Sequence, residues 1–92
     1  MNTYILHYQL ADTYLEDRVQ YREEHLALIN DYHEKGIITI AGAVEPNPAF
    51  EAFIIFYSEN EDAVIQFANE DPYVSHGLVK NYAIKKWNVV VS

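Results

Sequence analysis

Residues 37–58 read IITIAGAVEPNPAFEAFIIFYS, and this central stretch decides the fold because it holds two β-rich runs in succession. The first run, Ile37–Ala43, is dense in β-branched side chains, and the second, Phe50–Ser58, is rich in Phe and Ile. Both compositions are typical of strands. Between them, Glu45–Pro48 carries two prolines and an asparagine, which predicts a loop. The stretch therefore predicts two consecutive strands joined by that loop.

A helix is predicted on each side of this pair of strands. Leu15–Lys35 repeats its apolar residues at helical spacing, and Gly36 follows at the position where a left-handed glycine commonly ends a helix. Asn60–Asn69 predicts a second helix, with Glu61 and Asp62 in the first turn, where the helix dipole favours acidic groups. The two strands therefore lie between two helices.

The ends of the chain supply the remaining elements. Thr3–Tyr8 and Tyr82–Val91 are predicted strands. The pair Asp71–Pro72 has the composition of an N-cap followed by the first helical residue, and predicts a short helix that ends near Gly77. The order over residues 1–92 is β, α, β, β, α, β. It predicts a single α+β domain of the ferredoxin-like kind, with a four-stranded antiparallel sheet and both helices on one face.

The other face of the predicted sheet is also apolar. In the third strand, Phe53 and Ile55 point away from Ile54 and Phe56, and Trp87 adds to the second face from the last strand. An apolar face of this size left in water marks an interaction site. We expect a second copy of the chain to cover it, which gives a face-to-face homodimer about a two-fold axis. A larger assembly, or a monomer with an apolar ligand-binding sheet, is the alternative.

Composition limits the possible functions. The chain has 92 residues and a net charge of −8, and its six Lys and Arg residues are scattered, so neither nucleic-acid binding nor attraction to an anionic membrane is expected. The N-terminal MNTYILHYQL predicts no signal peptide and no membrane span. The lack of cysteine fits a reducing, cytoplasmic location. The four histidines show no HxH or HxxxH spacing, so no metal and no other cofactor is expected.

The first predicted helix carries ionisable residues on its apolar half. Arg18, Arg22, His25 and His33 fall there, among leucines, isoleucines and tyrosines. An arginine can extend its charged head past an apolar edge. The short side chain of His25 cannot, so it needs a hydrogen-bond partner or a pocket. The residues alone leave open whether His25 is structural or functional.

Asp71 also has two compatible interpretations. As an N-cap it accepts hydrogen bonds from backbone N–H groups that follow Pro72, and this role alone explains an Asp-Pro pair here. A carboxylate fixed in that position can also orient an imidazole and stabilise its protonated form. His25 is the histidine in need of such a partner.

Several short motifs, in this order and at these spacings, resemble the YciI-like (YCII-related) family. They are Arg22–Leu26 (REEHL) on the first helix, Ala41–Gly42 at the end of the second strand, Asp71–Tyr73, Gly77–Leu78, and Trp87 in the terminal strand. Each motif is weak alone, but the ordered set is fairly specific, and the likeness runs the full length of the chain.

The resemblance implies a dimeric α+β barrel, in which two ferredoxin-like sheets close against each other, and an active site built on a His–Asp dyad at His25 and Asp71. One relative eliminates chloride from a chlorinated hydroxyquinol-type ring, and more distant relatives on this fold isomerise muconolactones or act as small oxygenases. Two positions depart from the family pattern. Ala43 replaces a common proline, and His76 replaces a small residue before Gly77, which predicts a second imidazole near the pocket.

The function expected from these residues is proton transfer on a small cyclic or hydroxylated organic ligand, which is lyase or isomerase chemistry and is dehydrochlorinase-like in one form. His25 and Asp71 are the catalytic candidates. The substrate-binding candidates are Arg22, Tyr73, His76 and Tyr8. The alternative is a dimeric ligand-binding or regulatory protein without catalysis, in which the same pair serves recognition.

Overall fold

The computed structural model describes residues 1–45 and 50–92, so most of the predicted loop Glu45–Pro48 lies outside the described residues. Within them, four strands form one sheet: β1 Asn2–Leu10, β2 Ile38–Ala43, β3 Glu51–Ser58 and β4 Val79–Trp87. Their order across the sheet is β2-β3-β1-β4, and all neighbours are antiparallel. The two strands predicted from the central stretch are neighbours in it.

The helical segments of the described chain are α1 Tyr14–Asp17, a 3-10 turn at Arg18–Gln20, α2 Arg22–Glu34, α3 Asp62–Glu70 and α4 Pro72–Ser75. Since α2 connects β1 to β2 and α3 with α4 connects β3 to β4, the predicted ferredoxin-like α+β arrangement is confirmed. None of the helices in these described parts has the length and apolar character that crossing a membrane requires.

The inner face of the sheet, which the helices cover, is built from alternate residues of each strand. In β1 the buried side chains are Tyr4, Leu6, Tyr8 and Leu10. Leu6 lies opposite Ile54 of β3 and Ile84 of β4, and directly opposed residues share a face. From the helices, Tyr32 of α2 meets Phe67 of α3 edge to face, with ring centroids 5.2 Å apart. The hydrophobic core therefore lies between this face and the two main helices.

The segment predicted as one helix, Leu15–Lys35, is interrupted. It divides into α1, the 3-10 turn and α2, because Tyr21 leaves helical geometry with φ −117° and ψ −5°. Leu15 and Val19, which a continuous helix would place on the apolar half, are 46% and 76% exposed. The interruption lets Tyr14 point into the core instead, where it is buried. The end of the helix is as predicted, since Gly36 has φ +78° and Ile37 N–H donates to the Tyr32 carbonyl at 3.0 Å.

The last strand was predicted at Tyr82–Val91, and this range is wrong at both ends. The strand starts at Val79, which pairs with Leu10 beyond a β-bulge at Lys80 of β4 itself. It ends at Trp87, which pairs with Thr3 near the beginning of β1. Among the strands of the described residues, none pairs with the valines that follow Trp87, and an apolar, β-branched composition does not by itself extend a strand beyond its partner.

The outer face of the sheet lacks a covering helix among the described residues, because the buried residues of the helices all join the inner core. Ile5 lies on this face, opposite Ile55 and Lys85. The apolar outer-face side chains are Ile5, Ile40, Phe53, Ile55, Tyr57, Ala83 and Trp87. Of these, Trp87 is 48% exposed and Ile40 is 68% exposed. The second apolar face predicted from the strand alternation is therefore present.

Candidate active site

Asp71 lies at the junction of α3 and α4 and is completely buried. Its side chain accepts a hydrogen bond from Tyr73 N–H at 3.0 Å, and Pro72 is the first residue of α4. These contacts confirm the predicted N-cap. A carboxylate this deep in the protein needs strong hydrogen-bond donors on its other lone pairs.

His25, on the first turns of α2, supplies one of those donors. Its Nδ1 lies 2.7 Å from Asp71 Oδ1, and the histidine is 8% exposed. An ionised carboxylate only accepts hydrogen bonds, so the Nδ1 atom carries the proton. In the neutral imidazole this leaves the lone pair on Nε2, which faces away from Asp71. The family resemblance implies a dyad of these two residues, and the structure brings them into contact.

Tyr8 supplies the remaining donor to Asp71. Its hydroxyl donates to Oδ2 at 2.7 Å, so each carboxylate oxygen has at least one partner. Burial is the main reason that the pKa of Tyr8 is raised far above its ordinary value, and the negative charge of Asp71 raises it further. The hydroxyl therefore stays protonated and bound to Asp71. Tyr8 is a substrate-binding candidate in the sequence analysis, but the structure places its hydroxyl on the carboxylate.

Tyr73, on α4, forms the surface next to the imidazole. Its ring stacks on His25 with centroids 3.8 Å apart and planes 6° from parallel. The residue is 2% exposed, and its hydroxyl makes no hydrogen bond of good geometry within the described residues. Burial raises the pKa of that hydroxyl, and the nearby guanidinium groups of Arg22 and Arg18 act in the opposite direction. Gly77, with φ +79°, ends α4 and lets Leu78 N–H donate to the Tyr73 carbonyl at 2.9 Å.

A cavity of about 560 Å³ opens beside His25, between α2 and the part of the inner sheet face formed by β1, β2 and β3. This is within the range of small-molecule sites, roughly 300–1,000 Å³. Its apolar floor includes small side chains at Ala41, Ala43 and Ala52, which leave room above the sheet. The other lining residues are Tyr8, Leu10, Tyr14, Arg18, Arg22, His25, Leu26, Ile29, Asn30, Gly42, Glu45, Ile54 and Tyr73.

Of the six candidates named in the sequence analysis, His25, Arg22, Tyr8 and Tyr73 line this cavity, and Asp71 lies behind His25. His76 is exposed, and its ring stacks on Tyr21 with centroids 4.1 Å apart. It is not among the residues of the cavity wall. The place of His76 beside Gly77 in the sequence predicted an imidazole near the pocket. In the structure, the turn after α4 directs the His76 side chain to Tyr21, at the start of α2.

Tyr14 and Arg18 line the cavity but are not among the site residues predicted from the sequence. Tyr14 precedes the predicted helix, so the periodicity gave no information on it. It reaches the cavity because the chain is interrupted after α1, and its ring meets Tyr73 edge to face at 5.8 Å. Arg18 was noted as a cation on the apolar half of the helix, and that was the signal that could have identified it.

The other two histidines lie elsewhere. His7 is on the outer sheet face, stacked on Phe53 at 4.6 Å, and His33 Nδ1 lies 2.8 Å from the Ile38 carbonyl at the end of α2. Across residues 1–45 and 50–92, no three His, Asp or Glu side chains converge in a way that could hold a metal ion. The side chains of the site are a carboxylate, an imidazole, tyrosine hydroxyls and two guanidinium groups.

A family model for the YCII-related domain matches residues 1–88. The protein YciI of Escherichia coli O6:H1 is 30% identical over 95% of this chain and 97% of its own length, and a Haemophilus influenzae protein is 29% identical over the same shares. Among solved structures, 5-chloro-2-hydroxyhydroquinone dehydrochlorinase (TftG) from Burkholderia phenoliruptrix, in complex with 2,5-dihydroxybenzoquinone, has a TM-score of 0.79 at 20% identity and covers 94% of this chain and 93% of its own. A NIPSNAP family protein of Agrobacterium tumefaciens has a TM-score of 0.60 at 12% identity, over 92% and 89%. At such identities the structures show a shared fold alone.

Proposed function

This chain belongs to the YCII-related domain family, and from that premise we propose that it is a cofactor-independent enzyme that transfers a proton on a small organic substrate. One observation carries the proposal. His25 holds Nδ1 2.7 Å from a fully buried carboxylate, beside a cavity of about 560 Å³. A histidine fixed in this way is a general acid–base group.

The roles follow from the hydrogen bonds. Asp71 fixes the Nδ1–H tautomer of His25, so Nε2 is the atom that takes the substrate's proton. The imidazolium that forms then lies against the negative carboxylate, which stabilises it. Asp71 touches no substrate atom in this scheme and is a positioning residue. Tyr8 holds the second carboxylate oxygen and positions Asp71 in turn.

The substrate's remaining electron pair determines the type of reaction. In a lyase the pair expels a leaving group, such as chloride, from the neighbouring carbon. In an isomerase the imidazolium returns the proton to another carbon of the same molecule. The name of the TftG neighbour makes a chlorinated hydroxyquinol the first compound to test, and the lining of tyrosines and alanines suits a flat ring.

The working unit in this proposal is a homodimer in the cytoplasm, formed through the outer face of the sheet. The half-buried apolar side chains on that face, such as Phe53 and Ile55, support it, because no helix among the described residues covers them. The cysteine-free composition supports the compartment. Light scattering after size-exclusion chromatography measures the assembly directly, and a monomer across the micromolar range contradicts it.

The test is turnover by the purified protein of a panel containing 5-chloro-2-hydroxyhydroquinone, other halogenated phenols and lactones, with chloride release and absorbance as readouts. We expect His25→Gln to lower turnover by about 10²- to 10⁴-fold, since glutamine cannot accept and return a proton. His33→Gln is the matched control, because glutamine can keep the bond to the Ile38 carbonyl outside the cavity. Saturable ligand binding that survives in His25→Gln, with no turnover by the wild type, would instead favour a ligand-binding protein.

A further inference from the structure

The cavity beside His25 concentrates positive charge in an acidic protein. The net charge is −8, and two of only six Lys and Arg residues, Arg18 and Arg22, line this one cavity. Within residues 1–45 and 50–92, neither guanidinium forms an ion pair with a carboxylate. An unpaired cation at a cavity wall is a binding group for an anion.

The two arginines differ in their freedom. Arg18 Nη1 donates to the Tyr14 hydroxyl at 3.3 Å, and its guanidinium lies over the Tyr14 ring, 5.4 Å from the centroid. These contacts hold Arg18 in place, so its main contribution is its charge. Arg22 is exposed and has no side-chain hydrogen bond of good geometry in the described part of the chain. Its guanidinium lies close to the Tyr73 hydroxyl, and its other donors are available to a ligand.

The hydroxyl of Tyr73 is a second sign of a missing ligand atom: the Arg22 side chain lies close enough to act as a donor toward its oxygen, but the hydroxyl's own proton has no acceptor among the described residues. The hydroxyl is buried and makes no hydrogen bond of good geometry among the described residues, although Tyr73 lines the cavity and the Arg22 side chain lies nearby. A buried hydroxyl without a partner costs free energy. An acceptor atom of a ligand would satisfy it, and burial keeps the hydroxyl protonated and able to donate.

Building on the proposed function, we infer that the ligand of this site is a small planar organic monoanion, whose charged oxygen is bound between the Arg22 guanidinium and the Tyr73 hydroxyl. Arg22 and His25 are three positions apart on α2 and therefore share a face of the helix. The Tyr73 ring is stacked on the His25 ring. An anionic oxygen held there places its neighbouring atoms at His25 Nε2.

The charge balance of the lining argues for a single negative charge. Two arginines and one acid, Glu45, line the wall, and the Asp71 carboxylate lies directly behind His25, so the site has no net charge when His25 is neutral and one net positive charge once His25 has taken a proton. A monoanion cancels it, whereas a neutral ring leaves the guanidinium and the hydroxyl unsatisfied. A carboxylate and an ionised ring hydroxyl both offer a negatively charged oxygen that accepts hydrogen bonds. Binding of one probe of each kind distinguishes them.

Binding of matched probes to the whole protein tests the inference. The affinities for benzoate and for benzamide, measured by titration calorimetry, test whether the site prefers a carboxylate. The affinities for the 4-nitrophenolate ion and for neutral 4-nitrophenol, measured by the absorbance of the bound dye across neutral pH, test whether the site prefers an ionised hydroxyl. We expect at least one anion to bind about tenfold or more tightly than its neutral form, which is the size of one charge-assisted hydrogen bond. Which anion does so identifies the oxygen.

The variants locate the effect. Arg22→Gln should weaken the anion by about tenfold or more, and Tyr73→Phe by about three- to tenfold, while both leave the neutral probe unchanged. Lys80→Gln, which removes one positive charge outside the cavity, should change anion binding less than about twofold. Arg22 is exposed, so its loss should not unfold the protein, and circular dichroism checks this. Equal losses in Arg22→Gln and Lys80→Gln, or equal binding of anion and neutral probe, overturn the inference.

Failure of this inference can be distinguished from failure of the proposed function. Arg22-dependent anion binding that persists within about threefold in His25→Gln, without turnover of any substrate, supports the subsite and contradicts the catalytic proposal. Turnover that requires His25 but is insensitive to Arg22→Gln, on neutral substrates, supports catalysis and contradicts the subsite.

Discussion

Tyr8→Phe removes one hydroxyl from the interior and is the sharpest test of how Asp71 is held. The hydroxyl donates to Asp71 Oδ2 at 2.7 Å, and the carboxylate is completely buried. The variant keeps the aromatic ring and its packing in the core. What it removes is the donor to Oδ2, while His25 and Tyr73 N–H remain on Oδ1.

The magnitude follows from that geometry. A hydrogen bond to a charged group is worth about 1.5–3 kcal/mol, and a buried carboxylate oxygen left without its donor loses an amount at the upper part of that range. For a chain of this size the urea m-value is about 1 kcal/mol per M. We therefore expect the urea midpoint of Tyr8→Phe to fall by about 2 M at fixed protein concentration, because dimerisation would make the midpoint depend on concentration.

Tyr4→Phe is the matched control. Tyr4 lies on the same strand and the same face and is 7% exposed, and its hydroxyl forms no hydrogen bond with any described residue. The same chemical change there should cost less than about 0.5 kcal/mol. Similar midpoints for the two variants would refute the view that the Tyr8–Asp71 bond stabilises the site.

Three further predictions concern stability and assembly. Burial raises the pKa of Tyr8 from its ordinary 10.0, so above about pH 10 the unfolded chain loses a proton that the folded protein keeps. The free energy of unfolding should therefore fall as the pH rises above about 10. In urea titrations, Tyr8→Phe should reduce the slope of that free energy against pH by up to about 1.4 kcal/mol per pH unit. Gly77→Ala should lower the free energy of unfolding by about 1 kcal/mol, because the φ of Gly77 is +79°. Gly42→Ala should leave it unchanged in the same assay, because a Cβ added there meets nothing within 4 Å. Trp87→Glu should shift the proposed dimer toward monomer in light scattering, and Val90→Glu, at an 87% exposed position beyond β4, should not.

The order of the elements was accessible from sequence because each element leaves a local signal, whereas the pairing of His25 with Asp71 came from the resemblance to the YCII-related family. Alternation in the third strand, glycine at position 36 and the Asp-Pro pair each depend on neighbouring residues alone. His25 was identified by a conflict between its polarity and its place among apolar residues. A conflict of that kind requires a partner or a pocket, and the family resemblance identified Asp71 as that partner.

The features that the sequence did not predict depend on contacts between distant residues. No glycine, proline or capping residue marks the interruption at Tyr21, and its effect is to place Tyr14 against Tyr73, which is 59 positions away. The start of β4 at Val79 depends on a bulge at Lys80, which restores the pairing of Val79 with Leu10. Such outcomes are set by tertiary packing, which overrides local propensity.

Asp71→Asn separates the structural role of this residue from its proposed chemical one. Tyr73 N–H needs an acceptor and lies on Oδ1, so the amide oxygen should stay there, still facing His25 Nδ1–H. The amide NH₂ then takes the position of Oδ2, and the Tyr8 hydroxyl can turn and accept from it. The N-cap and every hydrogen bond are kept in this variant, and the negative charge is lost.

We therefore expect Asp71→Asn to unfold within about 1–2 kcal/mol of the wild type, since asparagine is an N-cap as good as aspartate and the remaining bonds become neutral ones. Its turnover should fall by about 10²-fold or more, because the imidazolium formed at His25 no longer has an opposing charge. Urea unfolding and the chloride-release assay measure the two effects on one preparation. A variant as active as the wild type would mean that Asp71 serves only to hold the start of α4, and that His25 does not depend on it for proton transfer.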